Sequence, residues 1–322
     1  MALAYYTKQN KTVQQFVAEL PRFLVDDLPG KTGPGGWKII KTYSSGAATP
    51  HELPSGTGVD FDTELAADNA WVTGALNIGD YIILESGKTP NADQVGFEYQ
   101  AIDTLRVILA PQKGFDTATS NNDMTAAGNW TNPTCSYVDH DDNSAGALQH
   151  YSAVADESTI MLFMDPGNST YMCFGYIGEH ERLHDEDEYN SLIFRTVREV
   201  NMHSGYGFGD HDAMYKISPV DDSTEIFIGG ALHYMDGIYF TSNTQTLDRN
   251  PVTGEWSPND IILASTTSGH TGKYGKLRHL RYMEHAITNT IPTVSTAMDY
   301  IAIGDSATYG KLIMPWDGVT PY

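Results

Sequence analysis

The chain has little cysteine, little positive charge and no long apolar run, and each shortage removes a class of protein. Two cysteines, Cys135 and Cys173, in 322 residues cannot build a disulfide scaffold, and such sparse usage fits folding in a reducing compartment. Cys173, within Tyr171-Met172-Cys173-Phe174, reads as a small buried hydrophobe; Cys135, in a polar stretch from Thr131 to Ser136, reads as a loop thiol. Lys and Arg number 19 against 41 Asp and Glu, a formal charge of -22 at pH 7. That field repels phosphate backbones and anionic membranes, so direct nucleic-acid binding is not expected. No apolar run approaches the ~18 residues that a membrane helix needs, and no membrane insertion is expected. Met1 to Lys8 show neither the basic nor the apolar region of a signal peptide. The N-x-S/T sequences at Asn10, Asn129 and Asn168 therefore have no expected secretory context.

What the chain does have is a series of short aromatic and β-branched runs cut by Gly, Asn, Asp and Pro. Trp71-Val72-Thr73, Tyr81 to Ser86, Gln94 to Gln100 and Leu105 to Ala110 read as consecutive antiparallel strands. Ile160 to Met164 and Tyr171 to Ile177, joined by Asp165-Pro166-Gly167-Asn168, read as a hairpin with Pro and Gly central in a type II turn. Further strands are expected at 37–41, 191–197, 224–228, 260–264 and 300–303, and a further hairpin at 234–240. Ahead of them, Val13, Phe16, Val17, Leu20, Phe23, Leu24 and Leu28 recur at helical spacing, with Thr12 and Gln15 placed as a capping box. Pro21 predicts a kink or a split into two short helices. The expected fold is thus mainly β: an antiparallel, sandwich-like body over 31–322 with long loops at 113–158 and 203–212, preceded by an amphipathic helical segment over 1–30. A boundary near 120–150 would divide the body into two lobes; one continuous domain is the alternative. The stripe of Phe16, Leu20 and Leu24 must be buried on this body or on a neighbouring subunit.

The wording of Ala75-Leu76-Asn77-Ile78-Gly79-Asp80-Tyr81-Ile82-Ile83-Leu84-Glu85-Ser86, followed by Phe97-Glu98-Tyr99-Gln100, resembles structural proteins of tailed-phage virions. The resemblance covers a minor part of the chain and includes no catalytic motif. It implies a non-enzymatic subunit of the tail, baseplate or neck, made in the host cytoplasm and carried in the virion. Its implied partners are copies of itself, arranged in a ring, and other virion proteins.

The patterns that tempt a catalytic reading are incomplete. Ile303-Gly304-Asp305-Ser306 resembles the nucleophile block of SGNH hydrolases, but only 311–322 lie beyond the following Gly310 and they contain no histidine. A serine hydroxyl without a base is a poor nucleophile. Asp139-His140-Asp141-Asp142-Asn143-Ser144 alternates acids as calcium loops do, yet an EF-hand needs Gly and Glu where Ser144 and His150 stand. In Glu179 to Glu188, His180 and His184 would share a face only on a helix, without the His-Glu-x-x-His order of zinc enzymes. A solvated acidic loop or a subunit contact is the expectation there. The Gly-aromatic stretch His203 to Asp212 lacks the spacing and lysine of phosphate loops and reads as plain loop, subunit contact or sugar platform. No metal, cofactor or catalytic residue is expected.

The residues expected to matter are therefore contacts. Besides Phe16, Leu20 and Leu24, they are Tyr206 and Phe208 in the glycine-rich loop and the cationic run Lys273, Lys276, Arg278 and Arg281. Trp316 and Tyr322 in the terminal segment complete the set. The cations are expected to meet an acidic face of a neighbouring copy, which makes assembly weaken as salt rises. The rival reading is a carbohydrate-binding or carbohydrate-cleaving receptor-recognition protein, since a glycosidase needs only two suitably spaced carboxylates.

Overall fold

The alternating runs become strands. The computed structural model describes residues 3–28, 36–44, 51–52, 60–87, 92–101, 104–110, 134–137, 149–165, 173–185, 191–197, 213–217, 224–227, 232–234, 259–265, 272–283, 299–303 and 311–316. In chain order these hold β1 (Ala4–Lys11), α1 (Val13–Asp26), β2 (Lys38–Tyr43), β3 (His51–Glu52), α2 (Phe61–Glu64), α3 (Ala70–Thr73), β4 (Tyr81–Glu85), β5 (Gln94–Ala101) and β6 (Thr104–Ala110). Then follow β7 (Thr134–Tyr137), β8 (Gln149–Ala155), β9 (Thr159–Asp165), β10 (Cys173–Arg182), β11 (Ser191–Val197), β12 (Ala213–Ile217) and β13 (Thr224–Phe227). The last are β14 (Leu232–Tyr234), β15 (Asn259–Ser265), β16 (Gly272–Met283), β17 (Asp299–Ile303) and β18 (Lys311–Trp316).

The fold is mainly β, in two antiparallel sheets. One has six strands in the order β3-β2-β4-β5-β6-β7. The other follows β1-β8-β9-β10-β11-β12-β13 and branches at β10 into β16, which carries β15 with β14 on one side and β18 with β17 on the other. Register explains the burial. In the six-stranded sheet Ile82 pairs with Phe97 and Phe97 with Val107, while Leu84 pairs with Val95 and Val95 with Leu109. Residues in register share a face, and these six are buried together. Their neighbours Tyr81, Ile83 and Ile108 form a separate buried cluster on the opposite face, where Tyr43 stacks on Tyr81 at 5.2 Å.

Helix α1 joins the two sheets. Its Phe16, Val17, Leu20 and Leu24 belong to one apolar cluster with Ile82, Phe97 and Val107 of the smaller sheet and Tyr151, Ala153 and Leu162 of the larger. Phe16 stacks on Tyr151 at 4.4 Å, and Tyr6 of β1 leans on it at 6.0 Å. Thr12 caps the helix: its hydroxyl accepts from the Gln15 N–H, and the Gln15 side chain accepts from the Thr12 N–H. Pro21 neither splits nor ends it. The ring removes the bond to the Val17 carbonyl, but the apolar residues on both sides of it are pinned in the shared core.

Four expectations change. Residues 1–30 are not a separate helical segment, because β1 pairs with β8 and α1 lies in the common core. Phe16, Leu20 and Leu24 are fully buried inside the same chain and are core, not subunit contacts. Trp71-Val72-Thr73 is a turn of helix, started by the Asn69 side chain accepting from the Trp71 N–H at 3.0 Å and closed by left-handed Gly74. The supposed loop 113–158 contains β7, which holds Cys135, and β8, which pairs with β1 and β9 in the larger sheet. Among the described residues no helix is long and apolar enough to cross a membrane.

Candidate functional site

The densest polar arrangement lies where the larger sheet branches. Asp156-Glu157-Ser158 turns β8 into β9, with the Asp156 N–H donating to the Thr159 carbonyl at 3.0 Å. A short acid at a turn's first position reaches the backbone two and three residues on. Here Asp156 Oδ1 accepts from the N–H groups of Ser158 and Thr159, both at 2.9 Å, and from Ser158 Oγ at 3.2 Å. Trp37 Nε1 ties the Asp156 carbonyl down at 2.9 Å. The carboxylate is fully buried.

Its second oxygen faces β16. Oδ2 accepts from Arg278 Nη2 at 3.0 Å and pairs with His279 Nε2 at 2.9 Å. Arg278 Nη1 reaches Glu179 Oε2 on β10 at 2.8 Å and Ser158 Oγ at 2.5 Å. The Tyr176 hydroxyl donates to the Glu179 carbonyl and accepts the Arg278 N–H at 3.2 Å. Arg278 therefore links two acids and a serine through its guanidinium and a tyrosine through its backbone N–H, joining β10 to the turn between β8 and β9. The backbone fits tightly around it. Gly178 of β10 has φ +117, and a Cβ there would fall 2.0 Å from the Ser158 carbonyl oxygen. His279 is left-handed at φ 61.

Burial pushes the Asp156 carboxyl up, but the His279 hydrogen bond and the Arg278 charge outweigh it, and the group is held below the usual aspartate value of 3.8. A carboxylate whose folded value is depressed contributes stability above its unfolded value and loses it as pH falls through the folded one. The Asp156 side-chain carbon resonance is thus expected to titrate below 3.8; a midpoint at or above that value would mean the ion pairs do not form. Tyr176 is driven strongly upward by burial and stays a neutral phenol.

A partly exposed rim continues the pattern. Lys276 Nζ lies 3.0 Å from Glu181 and 3.2 Å from Asp260, and Arg281 Nε lies 3.1 Å from Asp260. In the smaller sheet Arg106 pairs with Glu98 directly across β5 and β6. Burial raises the Glu98 carboxyl against the opposing pull of Arg106.

Ser158 and His279 both bond the same carboxylate, so the imidazole is not placed to take the serine proton, as a nucleophilic site requires. Among the described residues no group of three or more His, Cys, Asp or Glu could hold a metal ion.

Lys276, Arg278 and Arg281 stand on β16, where the acids they pair with belong to the same chain. Lys273 stands on β16, with its side chain outside the described residues. Trp316 ends β18 and is buried within its own chain. His180 is a buried strand residue of β10, and the described residues after it, 181–185, are exposed. Tyr206, Phe208, Tyr322, Ser306, the 139–144 acids, the 166–172 turn and the hairpin residues beyond Tyr234 lie outside the described residues. Asp156, Ser158 and Tyr176 were not anticipated. The local signal for Asp156 and Ser158 was Asp-x-Ser just ahead of the apolar run 160–164, a turn pattern with a mechanism. The chain matches no family model and no curated protein.

Proposed function

We propose that the chain is a non-enzymatic structural subunit of a tailed-phage particle, in the tail, baseplate or neck, assembling in a ring with copies of itself and meeting other virion proteins. The observation that carries the reading is the sequence resemblance at 75–86 and 97–100. Those residues build the turn into β4, β4 itself and the middle of β5, with Ile82, Leu84 and Phe97 in the shared core. The resemblance therefore falls on scaffold. The carbohydrate reading draws no support from Asp156, Glu179 or Glu98, each of which is ion-paired to an arginine of its own chain.

Native mass spectrometry of the full chain is expected to give one closed multiple of the subunit. Since Lys276, Arg278 and Arg281 are matched internally, salt should screen the repulsion between copies of charge -22 and favour association. That is the reverse of the dependence expected from the sequence. A monomer at all salt concentrations that binds or cleaves glycans would overturn the proposal.

A further inference from the structure

We infer that β14, β15, β16, β18 and β17 form an arm that opens from the body as a unit, and that Arg278 is the latch that holds it shut. Among the described strand pairs the arm is hydrogen-bonded to the body only at β10, through His180 with Leu277, Glu181 with Lys276 and Arg182 with Gly275, while β18 lies near β8 without pairing to it. By contrast β10 pairs with β11 along Cys173 to Glu179 and with β9 along Cys173 to Gly178. So narrow a seam needs reinforcement. It receives it at the next two residues of β16, where Arg278 bonds Asp156, Ser158 and Glu179 and His279 bonds Asp156.

The anchor stays with the body. Asp156 Oδ1 is fixed by the turn from β8 to β9 and its carbonyl by Trp37, whereas among the described residues Oδ2 bonds only Arg278 and His279 of the arm. Glycine sets the closeness of the seam: a Cβ at Gly275 would lie 2.1 Å from the Glu181 carbonyl oxygen and 2.6 Å from His180 Nδ1. Removing Arg278 leaves Asp156 buried with less counter-charge, which costs more than the pair contributes. Leu277, Leu280, Ile313 and Met314 of the arm are buried too, so the open form is a minor state and its population is what the latch controls. Opening bares the backbone of His180–Arg182 and Gly275–Leu277, edges competent to accept another strand. The inference stands on the seam alone, apart from the phage proposal.

Hydrogen exchange on the full chain tests it, with wild type, Arg278→Met and Arg278→Lys. Hydrogen bonds to charged groups are strong enough that their loss should speed local opening at least ~10-fold. In Arg278→Met that acceleration is expected in 259–265, 272–283 and 311–316, with 81–85 and 94–101 unchanged and Arg278→Lys intermediate. Equal acceleration in both regions, or none in the arm, overturns the latch. Should Arg278→Met not fold, exchange of the wild type in low denaturant decides instead. Arm amides must then open at lower free energy than those of β4 and β5, and one common opening refutes the proposal.

Discussion

Gly178→Ala is expected to unfold the protein or destabilise it by more than ~3 kcal/mol, because backbone strain and a backbone clash act together. The residue sits at φ +117, and the added carbon would meet Ser158 O at 2.0 Å and Thr159 Cα at 2.9 Å, atoms that cannot rotate away. Gly79→Ala is the matched control. Its φ is +94 and a Cβ meets nothing within 4 Å, so only strain remains, about 1–2 kcal/mol. Urea unfolding of the two variants separates the effects. Equal midpoints would show that β10 does not approach the turn between β8 and β9 as closely as described.

Phe16→Asp is expected to lose several kcal/mol at neutral pH, by placing an unpaired carboxylate among apolar side chains. Phe16 has no exposed surface and stacks on Tyr151. Phe16→Leu, which keeps apolar volume, should cost about 1.5 kcal/mol or less. The sign of the pH dependence identifies the cause. A buried acid is raised in the folded state, so the deficit is full above the ordinary carboxylate value and shrinks as acid neutralises the group. A Phe16→Asp variant with the wild-type melting temperature at pH 7 would place the helix stripe in solvent.

The elements read well from the sequence are those whose pattern is local. Thr12 and Gln15 announce the cap of α1, and the stripe after them repeats at helical spacing. β4, β5 and β6 announce themselves because both faces are apolar, one toward α1 and one toward the Tyr81 cluster. β8 hides because two of the residues it adds to the shared core, Ala153 and Ala155, are small and give no strand signal. β1 hides because polar Thr7 to Lys11 dilute its two tyrosines. The ion cluster is out of reach for a different reason: Arg278 and Asp156 are 122 positions apart. Charge clustering reveals that the cations of 273–285 want acidic company, but it cannot say whose. Asp156, Glu179 and Asp260 of the same chain supply it.

The position of α1 also governs the order in which the molecule can be made. The helix is synthesised before the strands it packs on: the ring that Phe16 stacks on belongs to Tyr151, and Ala153 and Leu162 complete the same cluster. An amphipathic helix this short is marginal on its own. Its apolar face therefore waits, uncovered, for strands translated much later, and sequence-distant pairing of this kind places the chain among slow folders exposed to aggregation while they wait.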